Sequence, residues 1–158
     1  MTTNPEPAIP DRVEAWIRED GGDLALLLIS LDAAQRPHVM MLARDEIRVM
    51  SPTGLRVALG EQSRSAENLR LRRAATLAIY DAGLACVIKT RVVAGPRTLL
   101  KGIVACDLAV QEFRFDSPTA AERSARLVTG LRFEGRAERH DIREALARPA
   151  AGSGPGSG

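Results

Sequence analysis

The segment from Gly60 to Asp81, GEQSRSAENLRLRRAATLAIYD, is where the fold of this chain can be read. A glycine and three polar residues lead into a short helical stretch carrying Asn68, Leu69 and Leu71, with Ser63 or Ser65 able to cap its start. The apolar run Thr76 to Tyr80 follows at once and reads as a strand. The first free N–H groups of such a helix and its aligned peptide dipoles favour an anion, a phosphate above all. Ser63, Arg64 and Ser65 would add two hydroxyls and a guanidinium to those donors. An ordinary N-cap accounts for the serines equally, so the stretch admits a phosphate corner or a plain capped helix.

Upstream, the sequence predicts strands over Leu24 to Leu31, His38 to Ala43 and Leu55 to Leu59. The first is a short apolar run bounded by Gly22 and Asp32, the pattern of a strand buried on both faces; the turn Asp32 to Pro37 pairs it with the second. In the third, Leu55, Val57 and Leu59 share one face and Arg56 takes the other. Before them, Val13, Trp16 and Ile17 fall on one helix face between Asp11 and Glu19, a helix expected to lid the core until Gly21 and Gly22 end it.

Downstream, a fifth strand runs from Leu84 to Val93 and a turn follows at Gly95–Pro96. A long sixth strand spans Leu99 to about Phe115, with a bend at Gly102. Ser117–Pro118 opens a helical pattern through Ala121, Ala125, Val128 and Leu131, and Glu138 to Arg148 forms a last, charged helix. Six strands joined by hairpin-length connections, with one embedded helix, indicate an antiparallel barrel or rolled sheet with peripheral helices. The expected organisation is a flexible arm over residues 1–10, a single domain over 11–148 and a disordered tail rich in Gly, Ser and Pro over 149–158.

Composition narrows the function. In 158 residues, 3% aromatic content and a net charge of +2 leave little for base stacking or steering onto phosphate backbones, so no nucleic-acid partner is expected. Arg70, Arg72 and Arg73 read as an exposed helix end. The longest apolar run, Leu24 to Ile29, is too short to span a membrane, and MTTNPEPAIP lacks the pattern of a signal peptide, so a cytoplasmic location is expected. Cys86 and Cys106 lack C-x-x-C spacing and read as buried thiols; His38 and His140 stand far apart, and no metal site is expected. Lys89 and Arg91 project from one strand face, the pattern of a solvated strand.

From LISLDAAQRPHVMML, GEQSRSAENL and RRAATLAIYD, in that order, the chain resembles the FMN-binding split-barrel family of pyridoxamine 5′-phosphate oxidase over roughly residues 11–115. The resemblance implies a six-stranded split β-barrel forming a homodimer, with FMN in clefts between the subunits and a small molecule as substrate. It assigns phosphate binding to Ser63 and Arg64, with Ser65 in the position that follows the pair. It lays the main chain of Val39, Met40, Met41 and Leu42 along the flavin, puts His38 near the same cleft, lets Lys89 reach across the dimer toward the cofactor phosphate, and matches Asn68 and Leu69 to the family's helix motif. Against the oxidase pattern, His38 and Ala43 replace basic residues, Ser65 replaces a lysine and Leu59 a threonine. Two lost charge-assisted hydrogen bonds would cost roughly 3 to 6 kcal/mol. The terminal Arg and Trp substrate motif has no counterpart, which speaks against vitamin B6 oxidation. The expected function is a flavin-dependent oxidoreductase or flavin reductase. The alternative is a noncatalytic dimeric module whose cleft is empty or holds haem, with His38 as ligand.

Overall fold

The computed structural model describes residues 7–19, 23–116, 121 and 126–149. Its framework is one antiparallel sheet. In chain order come helix α1 (Asp11–Arg18), β1 (Leu24–Leu31), β2 (Pro37–Ala43), a 3₁₀ turn (Arg44–Glu46), β3 (Ile47–Ser51) and β4 (Gly54–Gly60). Helix α2 (Arg64–Arg72), β5 (Ala74–Asp81), β6 (Leu84–Leu100), β7 (Ile103–Phe115), β8 (Leu131–Arg132) and α3 (His140–Leu146) follow. Neighbouring strands run β2-β1-β5-β6-β7-β4-β3, with β8 on β1, and every pairing is antiparallel.

Alternation puts Leu26 and Leu28 of β1, Leu77 and Ile79 of β5, Cys86 and Ile88 of β6, and Cys106 and Leu108 of β7 into one core. Val13, Trp16 and Ile17 of α1 close it as expected, and the Trp16 indole N–H donates to Asp81 at 2.8 Å. Both cysteines are buried free thiols whose pKa burial pushes up to about 11.

Among the described residues eight strands stand where six were expected. Ile47 and Val49 form β3 inside what reads as a charged interval, because the alternation is only two residues deep and Arg48 interrupts it. The expected turn at Gly95–Pro96 is a bend within β6. Gly95 has φ +89, and a Cβ there would lie 2.4 Å from the Ala105 carbonyl oxygen, so the close pass of β7 demands glycine. Gly102 does not bend a long strand; Lys101 and Gly102 form the hairpin turn between β6 and β7.

The helix expected from Ser117 lies largely outside the described residues, but residues 126–130 carry no helix and Leu131 opens β8. Gly130 there passes so close to β5 that a Cβ would sit 2.1 Å from the Tyr80 carbonyl oxygen. The last helix is shorter than expected, and buried charges hold its segment down. Asp45 takes both guanidinium nitrogens of Arg136 at 2.8 Å and the Arg139 amide at 2.7 Å. Arg56, placed on a polar face by the sequence, is buried beneath α3, where it donates to the carbonyls of Leu146 at 3.0 Å and Arg148 at 2.7 Å. Among the described residues no helix is long and apolar enough to cross a membrane.

Candidate functional site

Two local structures build the site. The first is the β1–β2 turn, where the Asp32 carboxylate accepts the amides of Ala34 at 2.9 Å and Arg36 at 2.8 Å. The Arg36 amide hydrogen bond is the leading cause that holds the Asp32 pKa below its ordinary value. The second is the start of α2. Ser63 is extended and its hydroxyl accepts the Ala66 amide at 3.1 Å, a true N-cap. The helix is nine residues long and is tied to β1 by the buried Asn68 side chain, which donates to the Ser30 hydroxyl at 3.0 Å.

Between these two pieces lies a cavity of about 350 Å³ lined by Asp32, Arg36, Pro37, His38, Arg64, Glu67 and Asn68. Its charges are already partly matched. Asp32 pairs with Arg36 at 3.4 Å, and Glu67 with Arg70 at 2.6 Å. The Arg64 guanidinium has no hydrogen-bond or ion-pair partner among the described residues. It is the cation left over in the cavity.

Of the sequence candidates, the fold brings His38, Arg64 and Asn68 to this one cavity, with Ser63 capping the helix beside it. The others lie elsewhere. Met40 packs against the core, while Val39 and Met41 alternate to the opposite face and are 54% and 52% exposed. Pairing of Ile29 with Val39 and of Leu27 with Met41 makes that face a continuous apolar strip, extended by Leu31. Ser65 is wholly buried, and its hydroxyl oxygen has no partner among the described residues. Lys89 projects from β6 and pairs with Glu112 of β7 at 3.2 Å.

Asp32, Arg36 and Glu67 were not among the sequence candidates. An aspartate opening a turn that ends in Arg-Pro was a usable signal for the first two. Arg72 and Arg73, in the cluster read as a helix end, donate to the carbonyls of Ala33 at 2.8 Å and Gly95 at 2.6 Å. Among the described residues no group of three His, Cys, Asp or Glu side chains is placed to hold a metal ion.

Comparison of the whole fold with solved structures decides its type. A Lactobacillus delbrueckii protein provisionally described as a pyridoxamine 5′-phosphate oxidase superimposes with a TM-score of 0.55 at 13% identity, covering 70% of this chain and 96% of that one. This is the split-barrel fold of the pyridoxamine 5′-phosphate oxidase-like proteins. An F420 reductase shares the split barrel with a TM-score of 0.52 at 11% identity, covering 67% of this chain and 98% of that one. HupZ of Group A Streptococcus does so with a TM-score of 0.55 at 10% identity, covering 68% and 98%. No family model and no curated protein matches the sequence. The split barrel accordingly rests on three-dimensional likeness.

Proposed function

We propose that this protein is a flavin-dependent oxidoreductase or flavin reductase that holds FMN beside α2 and acts on a small molecule. The observation that carries the reading is Arg64. Its guanidinium, unengaged among the described residues, stands in a cavity at the capped start of a nine-residue helix. The α2 amides and Arg64 would hold the phosphate, the Ser63 hydroxyl can donate to it while still accepting from Ala66, and His38 would border the same cleft. FMN, when bound, supplies the hydride chemistry; the chain supplies position and electrostatics.

The proposal includes a homodimer, supported by the exposed strip of Leu31, Val39 and Met41, which a second copy would remove from water. The cofactor cleft would then be completed at the subunit interface, with β2 contributing its main chain. A visible spectrum of freshly purified protein and an FMN titration by calorimetry test the site. Bound yellow flavin, or saturable uptake at one FMN per subunit, supports it. Colourless protein that ignores added FMN overturns it.

A second reading, a noncatalytic module with a degenerate cleft, has its own observation. Asp32 and Glu67 share the cavity with Arg36 and Arg64, so the formal charge of the lining is balanced. That lining is poorly suited to a phosphate dianion unless both carboxylates stay engaged with their own partners. A haem titration read at the Soret band distinguishes a His38-ligated haem from an empty cleft.

A further inference from the structure

A second cavity lies away from this site and shares no lining residue with it. It measures about 460 Å³ and follows the outer edge of β3, between α1 and α3. Ile47, Arg48 and Val49 all line it, although consecutive strand residues point to opposite faces. The cavity therefore wraps around the strand edge. β3 is the last strand in the sheet order, and no backbone hydrogen bond reaches its outer edge from any described residue. Its outer edge thus has no backbone partner among the described residues.

Charge on the walls has one sign in excess. Arg18, Arg48 and Arg143 line the cavity against the single carboxylate of Glu14. Arg18 is paired with Glu14 and Arg143 donates to the Glu19 carbonyl, whereas the Arg48 side chain has no partner among the described residues. The apolar part of the wall comes from the half-buried Val49 and from the edges of Ile17, Ile47 and Leu146, which are otherwise buried in the protein. A cavity of this size, with an apolar wall and a few converging polar groups, is of the kind that takes small molecules.

We infer that the β3-edge cavity is a second binding site, for a small amphipathic carboxylate whose anionic head meets Arg48 and the strand edge while its apolar tail lies on Val49 and the exposed edges of Ile17, Ile47 and Leu146. The site is independent of the flavin reading and does not rest on it. Hydrocarbon burial supplies affinity and the guanidinium supplies selectivity for the anion. A neutral amphipath of equal length would keep the first contribution and lose the second.

Octanoate and octanol are suitable probes, followed by calorimetry and by NMR shift changes on the whole protein. Saturable octanoate binding is expected, with perturbations centred on Ile47, Arg48 and Val49, at least tenfold tighter than octanol and weakened by salt. Arg48→Gln should remove about tenfold of the octanoate affinity, Arg48→Lys should keep most of it, and Val49→Asp should abolish it by placing a carboxylate in the cavity. FMN titration of the same variants should match the parent protein, which separates this site from the α2 cleft. Equal affinity for octanol, an unaffected Arg48→Gln variant with its fold intact by circular dichroism, shifts centred elsewhere, or no octanoate binding up to millimolar concentration would each overturn the inference.

Discussion

Arg64 is available because its neighbours are engaged elsewhere. Ser63 is committed to the Ala66 amide, and Glu67 one helical turn on is held by Arg70. Removing the side chain in Arg64→Ala should therefore weaken FMN binding by one charge-assisted hydrogen bond, roughly 10- to 100-fold in Kd by calorimetry, with little change in thermal stability. Ser63→Ala should weaken FMN binding less, through loss of one neutral donor to the phosphate, and cost more stability. Loss of the cap costs about 1 kcal/mol, which lowers Tm by roughly 2 to 4 °C for a chain of this size. A larger loss of FMN affinity in Ser63→Ala than in Arg64→Ala would show that the hydroxyl dominates phosphate binding.

The two thiols make a prediction with a definite sign. Burial raises Cys86 and Cys106 from 9.0 to about 11, so the unfolded chain loses those protons first as pH rises. Their contribution to stability is complete below pH 9 and is lost progressively as pH climbs through about 11. Urea unfolding between those limits should steepen its pH dependence by on the order of 1 to 3 kcal/mol per thiol. The Cys86→Ala/Cys106→Ala variant should flatten that slope even if its stability at neutral pH is lower. An unchanged slope would show that the native state admits the thiolates.

At the scale of elements, two buried charged groups pin the C-terminal segment across the sheet. Asp45 is fully buried against Arg136, and Arg56 lies under the end of α3, paired with Asp107 at 2.5 Å. Truncation of one partner in a buried pair leaves the other charge without compensation, so Arg136→Ala should cost about 3 to 5 kcal/mol in urea unfolding. Arg56→Ala acts differently. Asp107 keeps Arg97 at 3.0 Å, so the main loss is at the two carbonyls that end α3. Hydrogen exchange in that variant should rise first across residues 140–146, before the strands exchange. Uniform exchange across sheet and helix would mean that α3 unfolds only with the whole domain.

Each of these elements was legible to a different depth. The α1 stripe, the β1–β2 hairpin, the capped α2 and β5 were readable because apolar spacing and turn residues within a few positions specify them. β3 was not, since Arg48 breaks a run too short to carry a period. Gly95 and Gly102 look alike in sequence as chain breakers, yet one is a close backbone pass inside a strand and the other a hairpin turn. Register between β6 and β7 distinguishes them, and register is a non-local property.

At the scale of the whole molecule, the apolar strip across β1 and β2 is the feature that most constrains behaviour in solution. Ile29 and Leu27 pair with Val39 and Met41, so polar substitutions on β2 would break one continuous surface rather than isolated contacts. The parent protein is expected to be a dimer by light scattering. Val39→Asp/Met41→Asp should be a folded monomer that binds FMN at least tenfold more weakly, if the cleft is completed by the second subunit. A parent protein that is monomeric at micromolar concentration would remove the interface and leave only the single-subunit cavity.

Local order was written into the chain: which segments extend, which coil, where α2 is capped, and that Arg64 stands at its start. Such properties depend on neighbours a few bonds away, and a linear string displays them. The company Arg64 keeps was not written there. Asp32, Arg36 and Glu67 join His38 at one cavity because a turn and a helix start are brought together by strand pairing, whereas Ser65, Lys89, Val39 and Met41 are carried to other faces by helical phase and strand alternation. Alternation assigns a residue to a side of its element, but packing alone assigns that side to core, cleft or open surface.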